Sequence, residues 1–109
     1  MGMIAFYEGN NGTESLVQSV NDNPGQDFQP VKAEIRSLRL FNVRGRCRIR
    51  IFDAADGALS NEFCIVDVKN PMPEYTVNIF VPSYEDDYVV VTFIPVKGLV
   101  GKVLRIKID

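Results

Sequence analysis

The sequence predicts a single all-β domain, a Greek-key β-sandwich of about eight short strands. Three observations lead to this fold class. Apolar and polar residues alternate with a period of two in several segments rich in Val, Ile, Phe and Tyr. Gly, Pro, Asn and Asp cluster between those segments, as turn residues do. No long segment has the period of about 3.6 residues that an amphipathic helix needs.

The expected strands follow this alternation in order along the chain. They comprise residues 3–8, 15–20, 34–43, 46–52, 62–68, 75–81, 88–94 and 101–107. The fourth segment alternates most clearly: one face holds Cys47, Ile49 and Ile51, and the other holds Arg46, Arg48 and Arg50. We expect the apolar face to lie in the core and the arginine face in solvent. The residues expected to be mostly buried are Phe6, Leu38, Leu40, Ile49, Ile51, Val91 and Phe93.

Polar breaks separate these strands. Residues 21–27 predict a loop, and residues 70–74 contain two prolines, which cannot donate hydrogen bonds to a sheet. The Asp56-Gly57 pair, which follows the arginine-rich strand, favours a turn because glycine tolerates positive φ. We interpret residues 70–74 as the connection between two halves of one domain.

Length and composition indicate one globular domain spanning residues 1–109. The chain is 46% hydrophobic and 24% charged, with a net charge of −2. We interpret residues 1–2 as a cloning remnant. Because no signal peptide precedes the first strand, we expect a cytoplasmic protein or a mature secreted domain. The longest apolar run, residues 88–94, is too short to cross a bilayer, so no membrane association is expected.

Three segments in the first 65 residues carry a recognisable pattern. In residues 4–12 an aromatic strand ends at Glu8 and leads to Gly12. Residues 34–40 place Ser37 in the next matching strand, and residues 48–57 supply a further strand and hairpin. These segments resemble βγ-crystallin-type domains, in which the first hairpin folds over and a serine belongs to a calcium clamp.

The resemblance implies a calcium site at the first hairpin. Such domains bind calcium through a backbone carbonyl near the hairpin, two Asn or Asp residues and the clamp hydroxyl, and calcium takes six to eight oxygen ligands. Ser37 would supply the hydroxyl, with Glu8 or Asn10 near the hairpin. Lys32 and Ala33 stand where the pattern has Asn or Asp. We therefore expect this first site to be weak or empty.

The second hairpin offers other oxygen ligands. Asp56, Asn61 and Glu62 surround it, and we expect them to form any surviving calcium site. The expected cofactor is therefore calcium, bound weakly.

Six arginines lie within fifteen residues, at positions 36, 39, 44, 46, 48 and 50. Arginine donates in a fork that suits anions, so Arg46, Arg48 and Arg50 form a candidate face for an anion or a protein partner. A solvated face neutralised by acids within residues 53–74 explains the same pattern. The negative net charge and the lack of recognisable stacking aromatics argue against nucleic acid.

Catalysis is not expected, because the chain has no histidine and therefore lacks the commonest general base. Cys47 and Cys64 remain open to two interpretations, buried thiols or a disulfide between neighbouring strands. Residues 85–87 are three consecutive acids, which we interpret as a charged turn that guards the apolar strand after them.

Two functions follow from these observations. The first is a non-enzymatic βγ-crystallin-like binding or structural domain with weak or vestigial calcium binding. The alternative is a protein-interaction module, such as a protease inhibitor, that binds a partner protein through an exposed loop or the arginine face.

Overall fold

A computed structural model describes residues 2–32, 34–52, 62–78, 80, 83–94 and 103–109. Within these ranges the chain forms ten strands and one three-residue 3₁₀ turn, Asn10–Gly12. The strands are β1 (Met3–Tyr7), β2 (Leu16–Asn21), β3 (Gln26–Phe28), β4 (Ser37–Phe41), β5 (Arg48–Phe52), β6 (Glu62–Val68), β7 (Tyr75–Val77), β8 (Tyr84–Glu85), β9 (Val89–Phe93) and β10 (Arg105–Ile108). This part of the chain contains no helix with the length and apolarity needed to span a membrane.

The strands form two antiparallel sheets that pack as a sandwich. One sheet has the order β2-β1-β4-β7 and the other the order β3-β10-β5-β6-β9-β8. β4 returns to pair with β1 after β2 and β3, which is a Greek-key connection. The first half, β1–β4, and the second half, β5–β10, also exchange a strand, since β3 pairs with β10 in the larger sheet while β7 pairs with β4 in the smaller one. The predicted all-β Greek-key sandwich is confirmed.

The core lies between the two sheets because alternate residues of each strand face inward. In β5, Ile49 and Ile51 are fully buried while Arg48 is exposed, as the alternation predicts. Six of the residues predicted to be buried are so: Phe6, Leu38, Leu40, Ile49, Ile51 and Val91. Phe93 is only partly buried and packs against this core from the side.

The structure differs from the sequence-based prediction at the edges of the larger sheet. The predicted loop at residues 21–27 contains the end of β2 and the start of β3, and β8 was not predicted. β3 and β8 are edge strands with polar residues, so they lack the alternation that marks a half-buried strand. The predicted break at residues 70–74 leads from β6 of the larger sheet to β7 of the smaller one, so it lies within the group β5–β10 and not between the halves β1–β4 and β5–β10. The predicted turn at Asp56-Gly57 lies outside the described residues.

Arg44, in the loop after β4, links Asp109, which follows β10, to Asp22, and Asp22 in turn bonds to Gly2 before β1. The carbonyl of Gly2 accepts a 3.2 Å hydrogen bond from the amide of Asp22, and a Cβ on Gly2 would lie 2.6 Å from that carboxylate. Arg44 donates from Nε to the carbonyl of Asp22 at 2.8 Å and from Nη2 to the carbonyl of Asp109 at 2.7 Å. Gly2 is therefore buried by its contacts with these loops.

Candidate functional site

The connection between β1 and β2 folds into a short arch over the smaller sheet. The amide of Gly9 donates to the carbonyl of Thr13 at 3.1 Å, and the amide of Asn11 donates to the carbonyl of Asn78 at 2.7 Å. Asn11 and Gly12 both adopt the left-handed conformation, with φ of 63° and 65°. Asparagine and glycine tolerate that region better than other residues, which explains their place at the bend.

Ser37, the first residue of β4, holds this arch closed. Its hydroxyl donates to the carbonyl of Gly9 at 2.5 Å and accepts from the amide of Gly12 at 2.7 Å. Ser37 is fully buried, and both glycines are buried as well. A buried backbone group without a hydrogen-bond partner is costly. The Ser37 hydroxyl avoids that cost by bonding to the Gly12 amide and the Gly9 carbonyl.

Gly12 lies directly against Arg39. A Cβ at position 12 would stand well under 3.0 Å from Nε of Arg39, closer than real contacts allow. The Arg39 guanidinium lies 5.5 Å from the centre of the Tyr7 ring, and its Nη1 donates to Glu74 at 2.9 Å. Its buried Nε has no hydrogen-bond partner within the described part of the chain. Position 12 therefore requires glycine both for its φ and for space.

The predicted calcium ligands of the first hairpin lie around this arch. Glu8 follows β1, Asn10 begins the 3₁₀ turn, and Ser37 binds the backbone between them. The carboxylate of Glu8 is 3.1 Å from the ammonium of Lys32, while Asn10 is exposed. Over the described ranges, no three His, Cys, Asp or Glu side chains meet in a metal-binding arrangement.

The structure does not describe the predicted ligands of the second hairpin. Asp56 and Asn61 lie outside the described residues, as does Ala33. Glu62 begins β6, but its side chain is outside the description as well. The second site therefore stays a prediction.

The candidate arginine face is partly neutralised by acidic neighbours. Arg48 binds Asp67 on β6 through a 2.7 Å contact between Nε and Oδ1. Nη1 of Arg50 is 3.7 Å from Oδ2 of Asp109, at the end of β10. Arg46 precedes β5, is exposed and has a φ of 69°. The three predicted residues thus differ, with Arg46 standing in a turn and the other two paired on the sheet.

Lys107 on β10 adds a further cation to this face. Lys107 is the cross-strand neighbour of Arg50, and both lie over the fully buried Phe52 ring, at 5.2 and 5.4 Å from its centre. Like charges opposite each other destabilise a sheet, and the attraction of the ring for cations offsets that repulsion. Asp27 on β3 adds counter-charge, and the hydrogen bond from Arg105 lowers the pKa of its carboxyl.

A tyrosine cluster, made of Tyr75, Tyr84 and Tyr88, joins the two sheets at one side. Tyr75 lies on β7, the edge of the smaller sheet, and Tyr84 on β8, the edge of the larger one. Their hydroxyl oxygens are 3.0 Å apart, and the Tyr75 hydroxyl also donates to the carboxylate of Asp86. The ring centres of Tyr75 and Tyr88 are 5.9 Å apart. Sequence analysis missed this cluster.

Asp86 anchors the cluster to the turn before β9. Its Oδ1 accepts from the amides of Tyr88 at 2.8 Å and Val89 at 2.9 Å. Burial works against ionisation, but the hydrogen bonds from Tyr75 and from these amides outweigh it and lower the pKa of Asp86. Burial, followed by the hydrogen bond to Asp86, raises the pKa of Tyr75. At neutral pH the carboxylate is charged and the phenol is protonated.

The other two acids of the predicted guard turn make different contacts. Glu85 binds the ammonium of Lys69 at 2.7 Å, and Asp87 contributes its backbone carbonyl, which accepts from the side-chain amide of Asn70 at 2.7 Å. The available signal for the tyrosine cluster was the pair of tyrosines that flank residues 85–87. Nothing local in the sequence places Tyr75 beside them.

The two cysteines are free and buried. Burial raises the pKa of Cys47 to about 11 and that of Cys64 to about 12. Because the thiolate is the reactive form, both thiols are poor nucleophiles and poor metal ligands at neutral pH. Of the two interpretations left open by the sequence, the structure supports the small buried apolar side chain.

Comparisons with known protein families, with curated proteins and with solved structures found no match for this chain.

Proposed function

We propose that this chain is a non-enzymatic, βγ-crystallin-like binding or structural domain with weak calcium affinity. The observation that carries the proposal is the Ser37 hydroxyl, which bonds to Gly9 and Gly12 and closes the folded first hairpin. The strand order adds support, because the first, second and last strands of each half are arranged alike, as β2-β1-β4 and β6-β5-β10. Since the comparisons found no match, the proposal depends on these internal features.

Two contacts support weak calcium affinity at the first hairpin. The ammonium of Lys32 lies 3.1 Å from the Glu8 carboxylate, so a calcium ion would have to displace a cation that already neutralises it. Ser37 donates its proton to Gly9 and accepts from Gly12, so its oxygen is already engaged twice. Fewer charged ligands move calcium affinity toward the millimolar range. The second hairpin is the better candidate site.

The alternative function, partner binding through Arg46, Arg48 and Arg50, has less support. Arg48 and Arg50 form ion pairs with Asp67 and Asp109 within the chain, and a partner would have to compete with them. Such competition lowers the net gain from a new contact.

Calorimetric titration with calcium, together with thermal unfolding, tests the proposal. We expect heat of binding and a raised melting temperature at calcium concentrations toward the millimolar range. Replacing Glu62 with Gln should weaken binding more than Ser37→Ala does. Loss of binding in Ser37→Ala with intact binding in Glu62→Gln would place the site at the first hairpin. No response of the wild-type protein in either assay would leave only the alternative function.

A variant at Lys32 sharpens the argument for the first hairpin. Lys32→Asp removes the ammonium beside Glu8 and supplies the carboxylate that the family pattern has there. We expect calcium to bind this variant more tightly than the wild type. Lys32→Gln is the matched control, because it removes the charge without adding a carboxylate. Equal affinity of Lys32→Asp and wild type would contradict a calcium site at this arch.

A further inference from the structure

Three of the four tyrosines of the chain meet where the edges of the two sheets approach each other. Tyr75 is central, with its hydroxyl 3.0 Å from that of Tyr84 and its ring centre 5.9 Å from that of Tyr88. The fourth, Tyr7, lies on β1 with Arg39 over its ring. The chain therefore contains a tyrosine pair in hydroxyl contact and a separate tyrosine for comparison.

The hydrogen bonds of the cluster have a direction. The Tyr75 hydroxyl uses its one proton to donate to Asp86, so its oxygen accepts the hydrogen bond from the Tyr84 hydroxyl. A phenol that loses an electron becomes a strong acid that can lose its proton to water, and the neutral phenoxyl radical forms faster where a base already accepts a hydrogen bond from the hydroxyl. The Asp86 carboxylate is ionised at neutral pH and already holds the hydrogen bond along which this proton would move.

We propose that Tyr75 and Tyr84 are a site of oxidative cross-linking, at which small one-electron oxidants produce an intramolecular dityrosine. This inference is independent of the proposed function. Each phenol gives one electron to the oxidant; the proton of Tyr75 passes to Asp86 and that of Tyr84 to solvent. The two phenoxyl radicals join through a carbon–carbon bond ortho to each oxygen. The two ring protons at those carbons then move to the oxygens, so the product has lost two hydrogen atoms overall.

The surrounding fold permits this reaction and gives it a consequence. The ortho carbons flank the hydroxyl contact, so the rings must rotate to meet. We expect the partly buried Tyr84 ring to rotate, because β8 is a two-residue edge strand that, among the described residues, pairs with β9 alone. The new bond would join β7 of the smaller sheet to β8 of the larger one. It would therefore constrain the unfolded chain and raise the melting temperature.

Photo-oxidation by a ruthenium tris(bipyridine) complex with persulfate tests the proposal on the full chain at low protein concentration. Persulfate accepts the two electrons and becomes two sulfate ions. We expect monomeric product lighter by two hydrogen atoms, dityrosine fluorescence, and a cross-linked peptide that contains Tyr75 and Tyr84. Tyr75→Phe and Tyr84→Phe should each abolish this product, while Tyr7→Phe, the matched control, should leave its yield unchanged.

A variant without the Asp86 carboxylate tests whether proton acceptance, and not only the closeness of the two tyrosines, sets the rate of cross-linking. Asp86→Asn should lower the initial rate of cross-linking several-fold at neutral pH, with folding checked by circular dichroism. A monomeric cross-link that persists in Tyr84→Phe would assign the bond to Tyr88 and overturn the proposal. Products confined to intermolecular dimers, or to oxidised Cys64, would overturn it as well.

Discussion

The arch closed by Ser37 and the tyrosine cluster anchored by Asp86 both tie separate parts of the sandwich together, but with different chemistry. Ser37 joins two backbone groups through a neutral hydroxyl that is fully buried. Asp86 joins a phenol and two amides through a charged carboxylate at a partly open edge. We therefore expect the arch to be indifferent to pH and the cluster to depend on it.

Among the variants that test this comparison, Ser37→Ala should have the largest effect on the free energy of unfolding. The substitution leaves the carbonyl of Gly9 and the amide of Gly12 buried without their partner. We expect a loss of about 2 to 4 kcal/mol in the free energy of unfolding, measured by urea denaturation. Ser19→Ala on β2 is the control, because Ser19 is exposed. Equal stability of both variants would show that the arch does not need the hydroxyl.

Gly12→Ala should have the next largest effect. Alanine at this position meets both a left-handed φ of 65° and a steric overlap of its Cβ with Arg39. We expect a loss of about 2 to 3 kcal/mol in the same denaturation assay.

Gly25→Ala separates the two causes. Gly25 has a φ of 87°, but nothing lies within 4 Å of the position that an alanine Cβ would occupy, so only the backbone cost of about 1 kcal/mol applies. A Gly12→Ala variant no less stable than Gly25→Ala would mean that Arg39 moves aside without cost.

Tyr75→Phe should have a smaller effect, on the cluster alone. It removes the hydroxyl between Tyr84 and Asp86, while Asp86 keeps its backbone donors Tyr88 and Val89. We expect a loss of about 1 to 2 kcal/mol in the free energy of unfolding at neutral pH. The difference from wild type should shrink in acid, where Asp86 is protonated in both proteins. A difference that stays constant with pH would contradict the charged character of this link.

The contrast between the two regions also explains what the sequence could predict. The fold-over of the first hairpin follows from the resemblance carried by residues 4–12, whereas Ser37 is a predicted calcium ligand and its bonds to Gly9 and Gly12 are a finding of the structure. The alternation in β5 was predictable over residues 48–51, where the inward residues are isoleucines and the outward ones are arginines; Phe52 follows Ile51 and is buried too, which the alternation does not predict. Local residue chemistry therefore identifies local structure.

The tyrosine cluster was not predictable in the same way. Tyr75 and Tyr84 belong to different sheets, and their contact depends on how β7 crosses from one half of the domain to the other. β8 has two residues, too few to show a period. The run at residues 85–87 indicates only a charged turn, because its tertiary partner Tyr75 is not marked by any local pattern.

The measurement that tests the comparison most directly is amide hydrogen exchange of the folded protein at about pH 7 and about pH 2. Because the pKa of Asp86 is lower in the folded than in the unfolded chain, its stabilisation is complete above the unfolded value and disappears as the pH falls through the folded one. The amides of Tyr88 and Val89 should therefore lose protection in acid, whereas the Gly12 amide, bonded to neutral Ser37, should keep it. Equal loss of protection at all three amides, or unchanged protection at Val89, would contradict the account.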